Sequence, residues 1–314
     1  MPSSTEGTWL RADGVPRWGH RDGIQIGIAP LPGPRGLLRV YTPYLDHPPE
    51  RLVNFIAVEP IPEGQTGRGF SELEPSMLDP GEPGKRFWSA DDPLAAGEPA
   101  ATDHPARGVV AEIDGIETLT VWIGVERFDN GADVHVRIRF FADRPHEVEV
   151  AGFVNASSTP LEHLVLTATM GNWARLRVLR LADRTVTPAD LWPGFCGTGF
   201  TEHGRFGLAE LRRDGQAAIV EAVGDEMDPW SVEYSHDTAD HWRFLGRRSL
   251  QRWRVDDPHP ALECRVNARW SYWASASPIP GGPAFENFEI VEPFRQGAAF
   301  RFLVEPLTAP ARPD

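Results

Sequence analysis

The sequence predicts an all-β protein, a large antiparallel sandwich of two sheets. Three observations carry this. Apolar residues recur with a period of two, Gly and Pro are plentiful at 30 each, and no long stretch follows the 3.6-residue period of a helix. Val134, Val136, Ile138 and Phe140 alternate with His135, Arg137 and Arg139. Leu262, Cys264, Val266, Ala268, Trp270 and Tyr272 alternate with Glu263, Arg265, Asn267, Arg269, Ser271 and Trp273. Such a pattern turns one face to a core and the other to water or a cleft. Further strands are expected at 24–28, 37–43, 52–59, 108–113, 117–127, 146–155, 161–169, 174–181, 217–223, 242–253, 285–292 and 298–304. Turn-forming clusters such as Asp129-Asn130-Gly131 and Asp256-Asp257-Pro258 separate many of them. One short capped helical turn is expected within Thr187–Trp192, with Thr187 as its cap and Pro188 in its first position.

No change in composition divides the chain, so a single domain over residues 1–314 is expected. The segment 72–104 stands apart. It sets eight acids (Glu72, Glu74, Asp79, Glu82, Asp91, Asp92, Glu98, Asp103) against Lys85 and Arg86, has few β-branched residues, and reads as a long acidic loop or lid. The whole chain has 45 acidic and 31 basic residues, a formal charge of −14. That balance disfavours nucleic acid and anionic lipid as partners. No apolar run reaches the roughly 20 residues of a membrane span. Met1–Gly7 lacks the basic and apolar parts of an export signal, so a cytoplasmic location is expected. Cys196 and Cys264 are the only cysteines, too few for a disulfide framework or a thiolate zinc site.

The chain shows no phosphate-binding glycine loop, no dinucleotide fingerprint and no nucleophile elbow, so no cofactor is expected. His236 and His241 are the ends of the one metal-like cluster, but residues five apart on a strand face opposite ways, and no metal site is expected. Trp (11) outnumbers Tyr (4), and indole faces stack on sugar rings as well as filling cores. Lys85 is the sole lysine, which reflects either codon usage favouring Arg or a position that needs a compact ammonium.

Asn172-Trp173-Ala174-Arg175-Leu176-Arg177 carries an amide, an indole and two guanidiniums spaced by two. On one strand face these would stack on a sugar and pair with a uronate carboxylate, or else form cross-strand salt bridges to Glu147, Glu149 or Glu263. His135 shares a face with Arg137 and Arg139, either in a polar cleft or on a solvated surface. Glu286, between Phe285 and Phe288, is either a carboxyl whose apolar wall raises its pKa or a surface carboxylate on an edge strand. His163 lies in an apolar strand, as a satisfied core residue or a proton-transfer group. The Pro/Gly-rich run 275–283 is a candidate cleft rim, opposite the acidic segment.

The succession His146-Glu147-Val148-Glu149-Val150, Phe153-Val154-Asn155-Ala156-Ser157-Ser158-Thr159-Pro160-Leu161 and Glu162-His163-Leu164-Val165-Leu166 resembles the middle of galactose-mutarotase-like proteins. The run from Phe285 through Glu286, Glu292-Pro293 and Gly297 to Phe302 is similar to that family's closing strand pair. The resemblance implies a supersandwich fold, shared by aldose epimerases, polysaccharide lyases and accessory domains of glycosidases. It also implies that Glu286 is a catalytic acid or base and that His163 is brought toward a sugar. The span Thr167–Trp173 departs from the Asn-His-x-Tyr-Phe-Asn-Leu segment of aldose epimerases, which points away from simple mutarotation.

Together these readings predict a carbohydrate-active enzyme of lyase or epimerase type. Glu286 and His163 or His135 exchange protons, Arg175 and Arg177 hold an anionic group, and Trp173 or Trp273 stacks on the ring, with Asn172 and Lys85 as further binding residues. A glycoside hydrolase pairing Glu286 with Glu72 or Glu74, and a non-catalytic carbohydrate-binding or structural sandwich, are the alternatives.

Overall fold

The computed structural model describes residues 7–28, 35–48, 50–100, 104–224 and 231–307. Among them, two large antiparallel sheets pack as a sandwich. The first has nine strands in the order β1 (Trp9–Leu10), β2 (Arg17–His20), β3 (Gln25–Gly27), β4 (Leu37–Tyr41), β5 (Leu52–Pro62), β11 (Leu161–Thr169), β19 (Ala284–Val291), β18 (Glu263–Arg269) and β14 (Gly204–Gly207). The second has eleven. Its path runs β13 (Thr185–Val186), β12 (Leu176–Arg180), β16 (Ala217–Gly224), β17 (Ser249–Val255), β20 (Ala299–Pro306), β10 (Glu147–Val154), β9 (Val134–Phe141), β8 (Ile116–Val125) and β6 (Phe87–Ala90). Off that path, β15 (Arg212–Asp214) pairs with β16 and β7 (Val109–Ile113) with β8.

The period-two rows predicted from sequence are the rows that meet between the sheets. Ile56 and Val58 of β5, Leu164, Leu166 and Ala168 of β11, Phe288 and Ile290 of β19, and Cys264 and Val266 of β18 face Val136, Ile138 and Phe140 of β9, Trp253 of β17 and Phe302 of β20 in one buried cluster. Burial of those rows drives the sheets together, at about 25 cal/mol for each Å² of apolar surface removed from water. Two polar contacts cross the interface: Asn54 donates to Gln251 Oε1 at 2.5 Å, and Trp253 Nε1 donates to the Phe288 carbonyl at 3.2 Å. The turn predicted within 187–192 is a helical turn, α2 (Pro188–Leu191). Thr187 accepts from the Asp190 amide and Asp190 accepts from the Thr187 amide, a reciprocal cap that satisfies two otherwise orphaned donors.

Two expected strands are shorter than their alternation. The stretch 242–253 forms a strand only from Ser249, because Asp240–Trp242 make a tight 3-10 turn. The alternation through Trp273 ends at Arg269, where Ser271 bridges back to Pro278. The acidic segment 72–104 contains β6 and a capped helical turn, α1 (Pro93–Ala96), and its first part is fastened to the body. Glu126 accepts from Ser76 Oγ (2.7 Å) and from the amides of Met77 (2.5 Å), Leu78 (3.0 Å) and Arg86 (2.9 Å), while Asp79 pairs with Arg35 and Arg86. Residues 72–90 are therefore a pinned rim rather than a free lid; Asp103 and the leader reading at Met1–Glu6 lie outside the described residues. Among the described residues no helix is long and apolar enough to cross a membrane.

Candidate active site

The outer face of the nine-stranded sheet is roofed by loops around a cavity of about 980 Å³. Its floor is the outward row of the central strands: Arg39 of β4, Phe55 and Glu59 of β5, Thr169 of β11, Asn287 of β19 and Asn267 of β18. Aromatic side chains wall it. Trp173 donates its indole N–H to the His241 carbonyl at 3.1 Å, and Trp242 stacks on Tyr272 with ring centres 5.1 Å apart. Trp273 lies 5.9 Å from Phe200, with the Arg269 guanidinium over both rings. Met170 and Ala274, both on the cavity wall, have φ of 69° and 47°, the left-handed region that L-residues enter only when neighbours force them.

Glu286 reaches the cavity through a bulge. Asn267 pairs with Asn287 and Ala268 with Phe285, leaving Glu286 as the extra residue between them. An extra residue re-aims the chain, so Phe285 and Phe288 both enter the core while Glu286 lines the cavity. Gly171 supports the bulge from below: its N–H donates to the Glu286 carbonyl at 3.0 Å, and a Cβ there would stand 2.9 Å from the Phe285 oxygen. The Glu286 carboxyl is buried, and its Oε2 has no hydrogen-bond partner among the described residues. Burial pushes its pKa up to about 7, against the charge of Arg269. Glu72, at the rim, also has a buried Oε2 with no partner among the described residues, and burial pushes it up as well.

Beneath them lies a second carboxyl pair. Arg68 Nη1 donates to Glu59 Oε2 at 2.5 Å and to Glu289 Oε2 at 2.8 Å, and Nη2 reaches Glu289 Oε1 at 3.0 Å. Burial raises Glu59, whereas for Glu289 the pull of burial is overcome by the charge and hydrogen bonds of Arg68, and its pKa falls below the usual carboxylate value. His203 Nε2 is 4.0 Å from Glu289 Oε1 and 3.4 Å from Asn267 Nδ2. Desolvation lowers the His203 pKa, keeping the ring neutral at pH 7.

Of the residues named from sequence, the cavity gathers Glu286, Glu72, Trp173 and Trp273. Asn172 is buried next to Trp173, with neither side-chain polar atom partnered among the described residues, but it does not line the cavity. Arg175 and Arg177 do not share a strand face with Trp173. Arg175 has φ of 50° and lies outside β12, and its guanidinium donates to the Tyr234 hydroxyl at 2.6 Å. Arg177 is clasped by the carbonyls of Pro280, Gly282 and Pro283, under Gly281 at φ 81°, where a Cβ would press on the guanidinium at 2.9 Å. Arg177 therefore braces the 275–283 loop and Arg175 holds the Tyr234 hydroxyl, and neither lines the cavity. The loop itself does form a rim, through Ser275.

His163 sits at the start of β11, with Nδ1 2.8 Å from the Glu292 carbonyl, outside the cavity. His135 lies on the outer face of the other sheet, stacked on Phe153 at 5.3 Å and bonded to Asn155. Lys85 is buried between Glu74 (3.2 Å) and Asp129 (2.9 Å), which also removes Glu74 from the site. The compact ammonium is there for an ion-pair pocket. The sequence reading missed Glu59, Arg68, Thr167, His203, Trp242 and Glu289. A lone acid inside the apolar run Phe55–Ile61 was a usable signal for Glu59; Arg68 and His203 come from irregular loops and had none. The described residues contain no group of three or more His, Cys, Asp or Glu placed to hold a metal ion. Comparison of the chain with protein-family models, curated proteins and solved structures gives no match.

Proposed function

We propose that this protein is a carbohydrate-active enzyme that moves a proton on a sugar or uronic acid, as a lyase or epimerase, on a galactose-mutarotase-like supersandwich. The observation that carries this reading is Glu286: a buried carboxyl on the lining of a large cavity walled by three indoles, poised near neutrality, with one oxygen unpartnered among the described residues. A general base works best when its pKa lies near the working pH, and burial of this kind brings a carboxyl into that range. His203, neutral and close to Glu289, is the second proton-transfer group, and it takes the role expected of His163 or His135. Trp173, Trp242 and Trp273 supply stacking faces, and Arg39 places a guanidinium at the floor for a uronate carboxylate.

The partnerless Oε2 of Glu72 favours one further reading, a glycoside hydrolase using Glu72 and Glu286 as its two carboxyls. Product analysis separates the two. Incubation with uronic and neutral oligosaccharides is followed by absorbance for an unsaturated product, by NMR for an inverted ring carbon, and by reducing-end release without unsaturation for hydrolysis. The lyase–epimerase reading expects one of the first two signals, abolished by Glu286→Gln and His203→Ala. Binding without any turnover would overturn the enzyme reading in favour of a carbohydrate-binding module.

A further inference from the structure

We propose that Glu59 and Glu289 hold one proton between them through the hydroxyl of Thr167, and that this buried store exchanges with His203 at the cavity floor. Thr167 Oγ1 lies 2.8 Å from Glu59 Oε2 and 2.7 Å from Glu289 Oε2. A threonine hydroxyl has one proton to donate. It can satisfy only one of these oxygens, so the other contact is a hydrogen bond only if a carboxyl supplies the proton. Arg68 does not relieve this requirement, because its Nη1 already gives one N–H to each carboxyl and its Nη2 goes to Glu289.

The same count says which carboxyl is protonated. Glu289 accepts two guanidinium bonds and Glu59 accepts one, so the charge rests on Glu289 and the proton on Glu59. Burial and the nearby charges of Glu72 and Glu289 push Glu59 the same way, against Arg68. The groups facing the pair are Arg68 and Glu72 from the rim, His203, and Arg265, which stands opposite Glu289 on β18.

In the relay, Glu59 gives its proton to Thr167 Oγ1 while Thr167 passes its own to Glu289 Oε2. Glu289 then turns its carboxyl, bringing the protonated oxygen to the place of Oε1, 4.0 Å from Nε2 of the neutral His203, which takes the proton as the gap closes. The net change is one proton moved from Glu59 to His203, leaving a carboxylate and an imidazolium. Thr167 is thus a positioning residue. The use of the proton rests on the proton-transfer reading above; its sharing does not.

Infrared difference spectroscopy of the ligand-free protein at about pH 7 tests the sharing, with Glu286→Gln and Glu72→Gln recorded alongside to subtract those carboxyls. A carboxylic-acid C=O band is expected in the native protein, absent in Glu59→Gln, shifted in Thr167→Val and retained in Thr167→Ser. A Glu59→Gln spectrum identical to native in that region overturns the proposal. Thermal unfolding gives a second readout. Glutamine imitates a protonated glutamate, so Glu59→Gln should keep Tm within ~2 °C, whereas Glu289→Gln breaks a buried ion pair and should lower it by roughly 6–10 °C. Equal losses, or the reverse order, contradict it. Both measurements stand even if no glycan is turned over, so the two readings can fail separately.

Discussion

The outer faces of the two sheets are built from the same residue types and end in opposite electrostatic states. On the eleven-stranded sheet Glu147, Glu149 and Glu221 are matched by arginines on neighbouring strands. Glu221 of β16, fully buried, accepts from Arg180, Arg212 and Arg252, and these bonds overcome burial to hold its pKa below the ordinary value. Arg137 and Arg139 both reach Glu149, and Arg301 approaches Glu147. On the nine-stranded sheet the acids under the roof outnumber their partners, and Glu286 and Glu72 each keep an oxygen with none among the described residues. The difference lies in the loops. An acid on an open face can be paired or solvated, whereas burial pushes the pKa of a roofed acid without a partner up toward neutrality. A chemical site is marked by that imbalance rather than by the presence of Glu, His, Arg or Trp.

Substitutions on the two faces can break this contrast. The largest effect is expected at Glu286. Glu286→Gln should lower turnover of a responsive glycan by roughly 10²–10⁴-fold, read as initial rates, and a smaller loss would remove Glu286 from the proton transfer. The same residue controls a pH dependence of stability. Its folded pKa is about 7 against 4.5, so the native state binds more protons across that interval. Its contribution is complete below 4.5 and lost above 7, on the order of 3 kcal/mol. Urea unfolding across this range should show the decline in the native protein and a flatter limb in Glu286→Gln. Glu221 has the opposite sign, because its folded pKa is lowered: its stabilisation is present above the ordinary carboxylate range and disappears as acid protonates it. Glu221→Gln should cost about 1–3 kcal/mol at neutral pH, since the three guanidiniums remain partly solvated, and should leave turnover unchanged. The smallest effect is expected for His135→Ala, which gives up stacking on Phe153 and the bond to Asn155, worth about 1 kcal/mol in unfolding and nothing in catalysis. Loss of turnover in His135→Ala would move the site to the other face.

Most of the strand framework was legible because burial imposes the period of two directly on the chain, as in Val134–Phe140. The short strands β1, β2, β6, β13, β14 and β15 were not, being two to four residues long and too brief to show a period. Glu286 was legible from its flanking phenylalanines, although nothing local announces the bulge that turns it toward the cavity. Arg175 and Arg177 were misplaced because alternation presumes extended backbone, and Arg175 leaves it. The floor cluster was hidden for a different reason. Glu59, Thr167 and Glu289 meet through the β5–β11–β19 register, over sequence separations of 108 and 122, and no local pattern encodes such a meeting.

The central claim, that saccharide is held on the roofed face of the nine-stranded sheet, is tested most directly by the indole N–H resonances of the tryptophans, assigned through single Trp→Phe variants and followed as an oligosaccharide is titrated in. The account predicts that the signals of Trp173, Trp242 and Trp273 move together and saturably, while those of Trp88 and Trp122 on the other sheet stay in place. Shifts confined to Trp122, beside His135 and Phe153, would contradict it.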